Sequence, residues 1–278
     1  MEMKLPFQVD LTGKVAVVTG AGGVLMSEFA KALACCGARV ALLNRSDAVT
    51  KEIAAEIGEN ALSVKTDCTK KESIEEAKKI INERFGKVDI LINGVGGKSP
   101  KATTDIETMP QDGAEGKTFF DLDPAGLGFV FDINITSAFL VTQVFATDMI
   151  DRGGNIINIT SMNAYRPLTK IPAYSAAKAG ISNFTQWLAV HFAPCHIRVN
   201  AIAPGFFATK QNESLLFNED GTPTDRTKKI LSRTPMGRFG TNRELLGTLL
   251  YLVSDEASSF VTGSIIAVDG GFSSYSGV

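Results

Sequence analysis

Short apolar runs alternate with longer amphipathic stretches from residue 14 to residue 269. Val15–Val18, Val40–Leu43, Ile90–Ile92, Ile156–Ile159, Ile197–Ile202 and Ile265–Val268 read as strands, and a weaker run, Ala61–Val64, fills the place of a third strand. Several of these runs are apolar without period-two alternation, which suits strands covered on both faces. Between them, Leu25, Phe29, Leu33 and Cys36 recur at helical spacing, as do Ile74, Ala77, Ile81 and Phe85. Gly37 and Gly86 directly follow two of the helical stretches and fit C-terminal helix stops.

Strand–helix alternation with parallel crossovers predicts an α/β fold: a doubly wound parallel sheet of about seven strands with helices on both faces. No Pro- or Ser-rich linker interrupts the alternation, so residues 1–278 are expected to form a single domain. Two segments break the rhythm. Residues 97–124 are polar and rich in Gly and Pro, and residues 206–240 are charged and turn-rich around Asn218-Glu-Asp-Gly221. Both follow strands and should lie beyond the carboxyl ends of the sheet, where open α/β sheets bind ligands. The first is expected to serve as a substrate loop and the second as a lid over bound ligands.

Composition narrows the function classes. Hydrophobic residues make up 44% and charged residues 21%, which is ordinary globular usage. Twenty-eight Lys and Arg against 30 Asp and Glu leave a net charge of −2, which offers no basic excess for nucleic acid or anionic lipid. No apolar run in the sequence reaches membrane-spanning length, and the first residues lack a signal peptide's apolar core, so a cytoplasmic location is expected. Cys35, Cys36, Cys68 and Cys195 have no metal-ligand spacing, and with only His191 and His196 as imidazoles no metal site is expected.

Thr19-Gly20-Ala21-Gly22-Gly23 follows the first strand and opens the first helix. Glycines there let the backbone turn sharply and bring amide donors, at a positive helix end, close to a phosphate. The second strand ends in Asn44-Arg45, without the acidic residue that would accept hydrogen bonds from an adenosine ribose. Arg45 can pair with a 2′-phosphate through its planar fork, so the site leans toward NADP(H) over NAD(H).

Tyr174-Ser-Ala-Ala-Lys178 carries the chemistry. A helix places Tyr174 and Lys178, four apart, on one face. A phenol titrates near 10, but an ammonium about 4 Å away in a partly dry site supplies roughly 4 kcal/mol of attraction to the phenolate. A fall of two or three pKa units is therefore expected, which would match Tyr174 to general acid/base work near neutral pH. Ser161, at the end of a strand, can hydrogen-bond a reacting carbonyl oxygen. With these residues the chain resembles the short-chain dehydrogenase/reductase family over roughly residues 10–271, through Thr19-Gly20, Asp67, Asn93-Gly94, Asn134, Ser161, Tyr174, Lys178, Pro204-Gly205 and Asp269-Gly270-Gly271.

The resemblance implies a Rossmann-type fold and a nicotinamide cofactor. It implies that Lys178 also binds the nicotinamide ribose, that Asn134 holds a proton-relay water, and that Asp67, with Cys68 beside it, contacts adenine. Asn93-Gly94 would face the adenosine side, and Phe207 and Thr209, after Pro204-Gly205, the carboxamide and phosphates. Two departures stand out. Where the family's turn reads TGxxxGxG, Val24 and Met26 occupy the last two glycine positions, with Leu25 between them. Losing the glycine where helix meets strand should displace the helix or bend the turn unless Gly22 and Gly23 compensate. The family's NxAG turn appears as Asn93-Gly-Val-Gly96, a mild change.

Forty-one positions separate Asn93 from Asn134, longer than is usual in this family, and Lys98, Asn163 and Arg166 are expected beside Ser161 as substrate contacts. A cationic, hydroxyl-rich rim suits a keto or hydroxy sugar acid better than a steroid or fatty chain. The Gly-Gly turn followed by Val-Leu, with the Gly96–Asp105 stretch of the insert, is similar to the D-mannonate oxidoreductase (fructuronate reductase) branch, which makes D-fructuronate/D-mannonate the first substrate reading. Another ketoreductase, such as a 3-oxoacyl-carrier-protein reductase, and a non-catalytic nucleotide sensor are the competing readings. The resemblance also implies a homotetramer built on the helices around 134–151 and 173–193 and the last strand.

Overall fold

Runs of Val, Ile, Leu and Ala extend as strands where both faces are to be covered, and the computed structural model, which describes residues 9–209 and 213–277, contains seven of them. They are β1 (Val15–Thr19), β2 (Arg39–Asn44), β3 (Ala61–Lys65), β4 (Ile90–Asn93), β5 (Gly154–Ile159), β6 (Ile197–Pro204) and β7 (Ile265–Val268). All pair in parallel, in the order β3-β2-β1-β4-β5-β6-β7. Every strand expected from the sequence is present. The order reverses direction between β1 and β4, and the ends of those two strands open a crevice at the carboxyl edge.

The α-helices among the described residues are α1 (Val24–Cys35), α2 (Ala48–Ile57), α3 (Lys71–Phe85), α4 (Pro124–Phe131), α5 (Ser137–Phe145), α6 (Pro172–Phe192), α7 (Glu213–Leu216), α8 (Asp225–Ser232), α9 (Leu246–Val253) and α10 (Asp255–Ser258). Val15 and Val17 join Leu91, Ile156 and Val199 beneath α3, α5 and α6, while Ala16 and Val18 join Ile92, Ile157 and Ile202 beneath α1 and α9. Successive side chains of each strand thus enter opposite cores. Gly37 and Gly86 end α1 and α3, each with φ of +92°.

Three expectations need amendment. The buried face of α1 is Met26, Phe29, Ala30 and Leu33; of the expected residues, Phe29 and Leu33 are buried, while Leu25, which borders the crevice, and Cys36 are only partly buried against the same core. The run Pro124–Asp148 is helical throughout, 25 residues holding an 18-residue window with a mean hydropathy of 1.5, so by length and composition one helix does reach membrane-spanning size. Half of that window is buried, and it holds Asn134, Ser137, Thr142 and Asp148 in the core of the fold. Its middle, Asp132–Thr136, is wound as a π turn in which the Ser137 amide donates to the Asp132 carbonyl. Finally, Met26 does not push α1 off the sheet. Its thioether lies over Gly94, where a Cβ would overlap it and would also come within 2.7 Å of the Thr19 carbonyl oxygen. The missing side chain on β4's exit makes the room that the missing glycine on α1 took away.

Gly94→Ala is expected to destabilise the protein by about 2 kcal/mol through overpacking, and adding Met26→Ala should recover part of that loss. Urea unfolding of the two variants checks this; a change below about 0.5 kcal/mol for Gly94→Ala would show that the junction is loosely packed.

Candidate active site

Three elements bring four side chains to the crevice: α6 carries Tyr174 and Lys178, the exit of β5 carries Ser161, and the π turn carries Asn134. Pro172, at the first turn of α6, starts a 21-residue helix whose inward face is Ala173, Ala177, Lys178 and Ile181. Four-residue spacing then puts Tyr174 and Lys178 side by side. Lys178 is 4% exposed, its Nζ donates to the Ile159 carbonyl at the end of β5 at 2.8 Å, and it sits 5.6 Å from the centre of the Tyr174 ring. Ser161, two residues beyond β5, is buried, and its hydroxyl hydrogen-bonds to Tyr174 and accepts from the Asn163 amide. Asn134, in the π turn, donates to the Gly97 and Val130 carbonyls at 2.8 Å each and accepts from the Gly97 amide. Gly96 lets these groups converge: a Cβ there would stand 2.6 Å from Asn134 Oδ1 and 3.0 Å from Lys178 Nζ.

The electrostatics correct the expectation for the phenol. Burial raises Tyr174 above the ordinary tyrosine value, with the Ser161 hydrogen bond acting against it, and burial lowers Lys178 to about 8. The lysine spends its hydrogen bond on Ile159 and lies against the ring, so the expected fall of the phenol by ammonium attraction is absent. Tyr174 therefore holds its proton at neutral pH, ready to donate it.

A cavity of about 900 Å³ runs along the crevice. Gly20, Gly23, Val24, Leu25, Asn44, Arg45, Asp67 and Cys68 line one part of it, Gly94, Gly205, Phe207 and Thr209 lie along it, and Lys98, Ser161, Asn163 and Tyr174 also line it. A dinucleotide fits the first part on two observations. The first turn of α1 has Gly23 as its N-cap and no side-chain capping bond, so its amides are open to a phosphate. Asp67 is held below the usual carboxylate range, first by Thr69, which donates to it from both its amide and its hydroxyl, with weaker help from Lys70 and Arg45. Cys68 is buried, and desolvation pushes its thiol up to about 12, so it serves as an inert wall.

Several expected contacts stand behind the wall. The Thr19 hydroxyl donates to the Ile92 carbonyl and accepts from the Gly94 amide at 3.0 Å. Asn93 donates to Thr142 and Asn158, bracing β4 against α5 and β5, so Gly94 alone of that pair borders the cavity. Gly22 leaves space for the Asn44 amide, and Pro204 closes β6. Arg166 is a clear miss: it is exposed, absent from the cavity wall, and donates to the Tyr275 carbonyl at 2.7 Å. The turn held by Asn163, whose Oδ1 accepts from the Leu168 amide, carries Arg166 outward. Of the 206–240 segment, residues 210–212 lie outside the described residues. Its α7 and α8 border the cavity and bring Leu215, Leu216 and Arg226 to it. Arg226 and Asp132 were invisible in the sequence, because each sits among charged or polar neighbours with no motif to single it out.

A family model described as enoyl-(acyl carrier protein) reductase matches residues 25–273. An uncharacterised oxidoreductase of Bacillus subtilis is 53% identical, covering 99% of this chain and 100% of its own. A 2-dehydro-3-deoxy-D-gluconate 5-dehydrogenase of Escherichia coli is 34% identical over 95% of this chain and 96% of its own. A crystal structure of a proposed D-mannonate oxidoreductase from Haemophilus influenzae with bound NAD superposes with a TM-score of 0.94 at 53% identity, covering 98% of this chain and 99% of that one.

The buried lysine has a stability signature. Its ordinary value is 10.5 and its folded value about 8, so between those pH values the unfolded chain holds more protons and stability rises with pH. The stability of the wild type relative to Lys178→Met is expected to improve by roughly 3 kcal/mol across that window, measured by urea unfolding at a series of pH values. A difference independent of pH would mean that the ammonium is hydrated in the fold.

Proposed function

The chain belongs to the short-chain dehydrogenase/reductase family and is an NAD(P)-dependent oxidoreductase, and we propose that it interconverts a keto group and a secondary alcohol on a sugar acid, D-fructuronate/D-mannonate first. The observation that carries the reaction is the Ser161 hydroxyl and the Tyr174 phenol together on one cavity wall, with the buried Lys178 ammonium beside the Tyr174 ring. Ser161 positions the carbonyl oxygen, Tyr174 donates the proton that the new alkoxide takes up, and Lys178, with Asn134 beside it, restores that proton. A nicotinamide ring bound along the crevice supplies or accepts the hydride. Because burial keeps the phenol protonated, the reductive direction is the one these residues support near neutral pH.

The sugar-acid reading rests on Lys98 and Asn163 beside the reacting groups and on likeness to the proposed D-mannonate oxidoreductase. On this reading residues 97–124 form the substrate loop and 206–240 the lid. The same reading takes the chain as a cytoplasmic homotetramer, paired through α5 and α6, where Phe139, Trp187 and Val190 are exposed.

Tyr174→Phe is expected to cut turnover at least a thousandfold while leaving NADH affinity, followed by fluorescence titration, within about twofold. Near-normal turnover would remove Tyr174 from the mechanism. A panel of ketouronates, ketoaldonates, ketoses and an acetoacetyl thioester, each run with NADH and NADPH, is expected to give the highest kcat/KM on a ketouronate. In the same assay Arg45→Ala should lower kcat/KM with NADPH about tenfold and spare NADH, as befits the loss of a charge-assisted phosphate contact. Preference for the thioester, or equal losses with both cofactors, would overturn these two assignments respectively.

A further inference from the structure

We propose that Arg226, carried by α8, is paired across the cavity with Lys98 to hold the substrate's carboxylate, making the enzyme selective for keto acids over neutral ketones. This rests on the oxidoreductase reading of the same cavity and adds the residue that reads the substrate's charge.

Among the described residues, the cavity has five charged side chains on its wall. Arg45 and Asp67 belong to one end, where the arginine's charge lowers the carboxyl. Asp132, Lys98 and Arg226 are the other three. Asp132 accepts from the Thr136 hydroxyl one turn on. Lys98 and Arg226 form no ion pair among the described residues, yet each feels the other: Lys98 is held below the ordinary lysine value by desolvation first and by the Arg226 charge second. Two unpaired like charges turned into one cavity repel, and an anion between them relieves the cost. Forked guanidinium geometry suits the two oxygens of a carboxylate.

Both cations are mounted on fixed backbone. Lys98 follows Gly97, whose amide and carbonyl are both bonded by Asn134, and Gly96 lies against Lys178. The cation is thus two residues from Gly96, which lies against Lys178. Arg226 stands in the first turn of α8, which Thr224 caps by accepting from the Thr227 amide. The buried Thr227 hydroxyl donates to the Leu216 carbonyl at 2.6 Å. One turn further, Lys229 donates to both oxygens of Glu107 at 2.7 and 2.8 Å, tying α8 to the 97–124 segment that also carries Lys98. Contact between the same two segments is made by opposite charges outside the cavity and by like charges inside it. That arrangement leaves the inner pair for a ligand.

The test compares wild type, Arg226→Gln and Arg226→Lys on a ketouronate and on the neutral ketose of equal chain length, with NADH saturating. Arg226→Gln is expected to lower kcat/KM on the ketouronate at least thirtyfold, chiefly through KM, to leave the ketose within twofold, and to leave the NADH dissociation constant unchanged. Arg226→Lys should recover most of the loss. Equal losses on both substrates, no loss, or tenfold weaker NADH binding would overturn the assignment, the last by giving Arg226 to the cofactor. Should the wild type reduce neither compound, the substrate reading of the cavity fails separately. The cradle is then judged by binding of D-glucuronate to the NADH complex: binding lost in Arg226→Gln supports it, and equal or absent binding in the wild type overturns it.

Discussion

One hydroxyl governs the opening of the crevice. Thr19 ends β1, and its oxygen bonds both the last carbonyl region of β4 and the first amide beyond it, at Ile92 and Gly94. That clasp holds the exits of β1 and β4 together at the point where the strand order reverses, and the helices that follow them, α1 and α5, pack in the cores on opposite faces of the sheet. Everything the cavity offers follows from this divergence. The uncapped first turn of α1 faces one part of it, and the Gly96-Gly97 corner, pinned by Asn134, faces the other. The Met26–Gly94 contact belongs to the same junction, which tolerates a bulky thioether only because its neighbour has no side chain.

The second governing constraint is the cost of keeping a cation dry. Lys178 has one fixed carbonyl to bond, and burial drives its proton affinity down while driving that of Tyr174 up. The two groups, whose ordinary values nearly coincide, are therefore driven apart on the pH scale. Simple Coulomb arithmetic, with a charge about 4 Å away and a middling dielectric, captured only the attraction and left out the desolvation that both groups share. In a site this enclosed, desolvation is the larger contribution and sets the resting protonation state.

The seven strands were legible because apolar runs covered on both sides leave a strong mark, and the order of motifs along the chain pointed to the candidate site residues. Tyr174 and Lys178 lie side by side as their four-residue spacing suggested, and Gly96 lies against both Asn134 and Lys178. What could not be read was orientation. Asn93 and Thr19 have the right positions but turn inward as struts, and Arg166 is carried to the surface by the turn that Asn163 fastens. Nor could Arg226 be read, since a charged helix of eight residues looks like solvated surface until its neighbours across the cavity are known. Periodicity reports which face is apolar; it says nothing of which polar side chain looks toward a ligand.

The π turn at Asp132–Thr136 has a consequence for how the two helices it joins are aligned. A turn of that kind holds an extra residue, so the rotational phase of α5 is set independently of that of α4. Val141, Val144 and Phe145 can therefore key into the sheet, while Val130 and Asn134 aim at the reacting groups, without one register dictating the other. A straight rod would couple the two, and any drift in core packing would swing the amide away from Gly97. With the offset in place, the apolar face of α5 meets the sheet and the Asn134 amide meets Gly97 within one rod.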